Sequence, residues 1–192
     1  MANEDGTVIT SFNGEIYNTP ALSAELRAAG DPVRTGCEVE TLALAYARWG
    51  ETFLDHLDGQ FAIALFDEPA GDDGTPARCI LARDRLGQKP LWIAAVPDGL
   101  AFASEPKALF AHPQIDVAWH APALSHYAML GYIPAPMSAF EGLTKLAPGC
   151  VVTLTDCAAA PDHHHRSNNN NCKTQHIQWK PYARAGCYQQ GC

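Results

Sequence analysis

The stretch GQFAIALFD, residues 59–67, sets the tightest limit on what this chain can become. It is nearly continuously apolar and reads as a β-strand, bounded by turn-rich sequence. The turn-rich segment PAGDDGTP leads from it into RCILARD, residues 78–84. LWIAAV and LAFASE flank Pro97-Asp98-Gly99 and read as the clearest hairpin of the chain, and GCVVTLTD supplies a last strand. Helices come in groups. Thr19-Pro20 opens one with an apolar stripe at Leu22, Leu26 and Ala29, stopped by Gly30. A second runs over 38–49 with Leu42, Ala45 and Tyr46 inward and Gly50 as terminator. Phe53, Leu54 and Leu57 fit a short third helix, Ser104 with Pro106 caps another, and a longer one follows over 122–130. Hairpin-linked strands with grouped helices predict an α+β fold, unlike the βαβ alternation of a parallel sheet.

With 192 residues, 47% of them hydrophobic, the chain is long enough to bury one ordinary core. The start, MANEDGT, has no apolar core and is not a secretory signal, and no stretch reaches the apolar length of a membrane span. Together these predict a cytoplasmic protein with no membrane partner. Residues 1–156 carry nine Lys/Arg against twenty Asp/Glu, so nucleic acid is not an expected partner. Residues 157–192 reverse that balance and lack an apolar period, which predicts a disordered or unrelated tail after a domain spanning 1–156. Seven cysteines without a secretion signal argue against a disulfide framework. Cys79 and Cys150 read as buried thiols in apolar strands. His163, His164 and His165 with Cys157 and Cys172 offer a zinc-like set, but adjacent histidines do not converge and no Cys-x-x-Cys is present, so no metal is expected.

FNGEIYN, residues 12–18, carries the first chemical question. Asn13-Gly14 is a favoured two-residue hairpin turn, with short strands on either side. Alternatively, the Asn13 amide and the Gly14 N–H point together at a developing oxyanion, glycine letting the backbone approach a substrate closely. Asn-Gly alone does not separate the two. RDRLGQKP, residues 83–90, reads as structural, with Arg83 and Asp84 paired and Gly87 and Pro90 shaping a loop.

FNGEIYN is followed, in order, by RTGCEVE, GQFAIALFD, RDRLGQKPLW, FASEPKAL and GYIPAPMSAFEGLTKLAPG. This series resembles the class II glutamine amidotransferase domain of asparagine synthetases and their relatives, from about residue 1 to 154. The resemblance implies an N-terminal-nucleophile hydrolase fold, an αββα sandwich of two antiparallel sheets. It implies L-glutamine as substrate, hydrolysed by a cysteine whose own α-amine is the base. Ammonia would then pass to an ATP- and magnesium-dependent synthetase domain that amidates aspartate. Carried onto this sequence, Asn13 and Gly14 are oxyanion donors, Glu15 lies beside them in the pocket, and Glu38 stands where the family places an aspartate for the substrate's α-ammonium. Glu38 also suits the start of a helix by its charge.

The same resemblance predicts an N-terminally incomplete domain. Positions 2 and 3 are Ala2 and Asn3, and the first cysteine is Cys37. Neither the nucleophile nor the family's carboxylate-clamping arginine has a counterpart, and no Ser-Gly-Gly loop for ATP is present, so no cofactor is expected here. Three outcomes are open: part of a glutamine-hydrolysing asparagine synthetase, a catalytically inactive glutamine-binding module, or a non-functional truncated product.

Overall fold

A computed structural model describes residue 3 and residues 6–68, 75–97 and 99–155, together with the backbone of 177–181. Strand β1 (Val8–Ile16) is followed by α1 (Thr19–Ala28) and α2 (Glu38–Trp49), and a 3₁₀ helix (Gly50–His56) leads into β2 (Gly59–Asp67). Then come β3 (Arg78–Arg83), β4 (Trp92–Val96), β5 (Gly99–Ala103), α3 (Pro106–Leu109), α4 (Ala121–Leu130), β6 (Leu143–Lys145), β7 (Cys150–Thr155) and β8 (Ile177–Pro181). The strands form two antiparallel sheets, β1-β2-β3-β7-β8 and β5-β4-β6.

Side-chain alternation explains the stacking. In β2, Phe61, Ile63 and Leu65 pack with Leu22 of α1, Leu42, Ala45 and Tyr46 of α2, and Phe53 and Leu54 of the 3₁₀ helix. On the opposite face, Ala62 and Ala64 meet Leu81, Leu91, Ile93, Val152 and Leu154 between the sheets. A strand sandwiched this way must be apolar on both faces, and small residues on the sheet-facing side let the layers close. Ala94, Leu109 and Leu143, with Trp92, Phe110 and Phe140 against them, form a third cluster outside the second sheet. The α+β class with two stacked antiparallel sheets is therefore as expected.

Three expectations change. Asn13-Gly14 is not a turn: β1 runs unbroken from Val8 to Ile16, with Asn13 opposite Ala62 and Gly14 opposite Phe61. Nine consecutive partners on β2 outweigh a local two-residue preference. The segment after Asp156 is not wholly without structure, because β8 pairs antiparallel with β7, Cys150 opposite Pro181. Here backbone pairing on an exposed ladder forms the strand without side-chain periodicity. The histidine and cysteine set at 157–172 lies outside the described residues. Finally, Cys79 and Cys150 are half-buried at the margin of the inter-sheet core.

Candidate functional site

Hydrogen-bond parity along β1 decides what each residue of the FNGEIYN block presents. Tyr17 N–H donates to the Asp58 carbonyl and Glu68 N–H to the Thr7 carbonyl, so odd-numbered residues bond to β2. In an antiparallel pair the alternate residues then turn their N–H and C=O away from the partner. Both ends of β1 confirm this: Val8 N–H donates to the Asn3 side chain at 2.9 Å, and Ile16 N–H donates to Glu38 Oε1 at 2.5 Å. Gly14 is even-numbered, so its N–H also points along the outer edge, one outward position from Ile16.

Side chains alternate independently of that. Val8, Phe12 and Ile16 pack under α1 and α2. Asn13 and Glu15 therefore lie on the opposite face and are exposed. Asn13 Nδ2 donates to Ser104 Oγ, 3.2 Å away at the end of β5. This bond spans the two sheets and orients the amide, whose second proton remains available. Gly14 N–H on the edge and the Asn13 amide on the adjoining face thus occupy one corner of β1. That corner exists only because residue 14 is glycine: a Cβ there would sit 2.1 Å from the Gln60 carbonyl oxygen.

Glu38 reaches this edge from the first turn of α2. Oε1 is held by Ile16, while Oε2 takes no hydrogen bond from the described residues. Asn13, Gly14 and Glu38 are therefore brought along one edge, and Glu15 projects beside them without a described partner that fixes it.

Two contributors were not anticipated. Ser104 was expected to cap α3, but Glu105 holds the cap position without a side-chain cap bond, and Ser104 serves Asn13 instead. Glu40 organises the loop that delivers Glu38. Its carboxylate accepts from Arg34, Thr35 and Gly36 N–H and from Thr35 Oγ1 at 2.6–2.8 Å. Burial pushes its carboxyl up, but the hydrogen bonds from Thr35, Arg34 and Gly36 outweigh that and bring it down to about 2. A carboxyl depressed on folding stabilises above its unfolded value and loses that contribution as pH falls through the folded one. Acid unfolding between pH 4.5 and about 2 should thus be shallower in Glu40→Gln than in the parent. Solvent screening limits the difference to no more than about 1 kcal/mol. Parallel melts across that range measure it, and identical slopes would contradict this role.

The pairing expected between Arg83 and Asp84 takes another form. Asp84, fully buried, accepts four backbone N–H groups, from Phe61, Leu86, Gln88 and Lys89, at 3.0–3.2 Å. Arg83 donates to the carbonyls of Gly87, Lys89 and Leu146. Both ions are used to fix loops, and the Phe61 bond holds β2 at the position facing Gly14.

No group of three His, Cys, Asp or Glu among the described residues is placed to hold a metal, and no described helix is long and apolar enough to cross a membrane.

Comparison with known proteins adds three findings. A family profile described as "Glutamine amidotransferase domain" matches residues 1–165. The chain is 36% identical over 145 residues to asparagine synthetase [glutamine-hydrolyzing] 3 of Bacillus subtilis (strain 168), covering 75% of this chain and 23% of that protein. It is 44% identical over 110 residues to asparagine synthetase [glutamine-hydrolyzing] 3 of Arabidopsis thaliana, covering 57% of this chain and 18% of that one. The chain thus spans about a quarter or less of these curated relatives. Among solved structures, glutamine phosphoribosylpyrophosphate amidotransferase from B. subtilis superposes with a TM-score of 0.55 at 18% identity, covering 93% of this chain and 30% of that one. That likeness is one of fold.

Proposed function

Because the chain belongs to the glutamine amidotransferase domain family, we propose that its β1 edge binds L-glutamine and polarises the side-chain amide carbonyl for attack by a thiol. The observation that carries this reading is the shared edge: Gly14 N–H turned outward beside the Asn13 amide, with Glu38 anchored one outward position away. Two residues of strand span roughly 6.8 Å. An extended glutamine places its α-nitrogen roughly 6 Å from its side-chain carbonyl oxygen by ordinary bond lengths. One molecule therefore reaches both groups, its ammonium at Glu38 Oε2 and its carbonyl at Gly14 and Asn13.

In this mechanism Asn13 and Gly14 donate to the oxygen as it gains negative charge. Such donors matter because they are already in place when the charge develops. Ser104 positions Asn13 and touches no reacting atom. The nucleophile is assigned to a cysteine outside residues 1–192. Cys37 is internal and has no α-amine of its own to act as base. By likeness to the asparagine synthetases, the ammonia released would serve amidation of aspartate in an adjoining synthetase domain. ATP and magnesium belong to that step, and no residue here is assigned to them. For the 192-residue polypeptide by itself the proposal is glutamine binding without turnover.

Calorimetric titration of this chain with L-glutamine tests the binding half. A lost charge-assisted contact is worth about 1.5–3 kcal/mol, so Glu38→Ala should weaken binding at least tenfold, while Glu38→Asp retains it. Melting curves of both variants separate this from loss of the Ile16 bond. Absence of binding, or equal affinity in Glu38→Ala, would remove the assignment.

A further inference from the structure

Lys145 places an amine where its positive charge is poorly supported. It stands directly opposite Trp92 across the β4–β6 ladder, and Nζ lies over the indole, 4.9 Å from the ring centroid. The Lys145 backbone N–H donates to the Pro136 carbonyl, and Nζ donates to the Ile133 carbonyl at 3.2 Å. The side chain is thus half-buried between the second sheet and the segment over residues 131–137. Among the described residues no carboxylate pairs with it. The charge that acts on it has its own sign: Arg83, buried, donates to the carbonyl of Leu146, the next residue in sequence. Lys107 is the contrast, exposed and with Nζ 2.7 Å from Glu105 Oε2.

A lysine so placed is a nucleophile. Loss of water penalises the ammonium and a fixed guanidinium repels it, so both favour the neutral amine and its free lone pair. The Trp92 face works the other way, since an aromatic ring attracts a cation. Burial and then Arg83 nevertheless bring the Lys145 amine below the usual lysine range, whereas the Glu105 bond holds Lys107 above it. The bond to Ile133 survives deprotonation, because a neutral amine still carries two N–H groups.

We propose that Lys145 is a modification site, acylated by small activated acyl groups of the acyl phosphate class. The neutral amine attacks the acyl carbon. A C–N bond forms, the C–O bond to phosphate breaks, inorganic phosphate leaves with the electron pair, and the surplus proton of the nitrogen passes to water. The product amide is uncharged, so the repulsion with Arg83 disappears, and its single N–H still serves the Ile133 carbonyl. The field of Arg83 also favours the anionic reagent and the oxyanion that develops during attack.

Trace labelling of the folded 192-residue chain with isotope-tagged acetyl phosphate, read by peptide mass spectrometry, tests this. Each lysine's rate is divided by its own rate in the urea-unfolded chain, which cancels the influence of local sequence. Folding should accelerate Lys145 roughly threefold or more and slow Lys107. The Lys145 rate should also level off at a lower pH than that of Lys107, which separates an activated amine from one that is merely accessible. A ratio of one or less at Lys145 overturns the proposal, and so does a pH profile that coincides with that of Lys107.

Discussion

Replacing Gly14 with alanine should destabilise the domain by about 3 kcal/mol and abolish glutamine binding. The new methyl would lie 2.1 Å from the Gln60 carbonyl oxygen and 2.8 Å from Phe61 Cα, both backbone atoms that cannot rotate away. The residue's φ of 155° is also one that L side chains rarely adopt. Relief requires β1 to move off β2. The partner strand has a matching constraint, since a Cβ on Gly59 would meet the Glu15 carbonyl at 2.3 Å. Separation would misplace the Gly14 N–H, Asn13 and the Ile16–Glu38 bond together. Urea denaturation gives the stability change from the midpoint at constant slope. A loss below about 1 kcal/mol with binding intact would show that the strands tolerate the methyl and that glycine serves neither purpose.

Asp84→Asn should cost about 4 kcal/mol, although it changes one atom. The carboxylate presents acceptors to four N–H groups and is wholly buried. An amide keeps one acceptor oxygen and turns an NH₂ toward the other two donors, leaving like facing like without water. Domains commonly hold only 5–15 kcal/mol of total stability, so much of it would go. The effect extends to the site because the Phe61 N–H is one of the four bonds and Phe61 faces Gly14 across the ladder. Thermal and urea unfolding measure the change. A variant as stable as the parent would mean that the loop, residues 85–89, does not depend on this ion.

What could be read in advance follows from where local and tertiary preferences agree. Helix α2 fell on residues 38–49 because its apolar spacing, acidic first turn and terminating Gly50 all favour one outcome. Strand β2 matched residues 59–67 because burial on both faces leaves a continuous signature. Asn13-Gly14 was ambiguous because its turn preference is local, whereas its place in β1 depends on β2, more than forty residues away. Ser104 differs for a related reason: a serine before a proline helix resembles a cap, yet its partner, Asn13, comes from another segment. Arg83 and Asp84 do shape the loop over residues 83–90, and what their local pattern leaves out is the tie of each to a distant strand or loop, Leu146 for Arg83 and Phe61 for Asp84. Three-residue β6 was too short to leave a pattern. The candidate residues themselves were legible as types in the FNGEIYN and RTGCEVE blocks. Their convergence on one strand edge was not.

The most direct measurement is the amide spectrum of ¹⁵N-labelled chain titrated with L-glutamine. At saturation the Gly14 backbone amide and the Asn13 side-chain NH₂ should show the largest shifts, Ile16 should follow through Glu38, and the α4 resonances should stay still. Binding that shifts other residues while Gly14 and Asn13 remain unmoved would contradict the assignment of this strand edge to the substrate carbonyl.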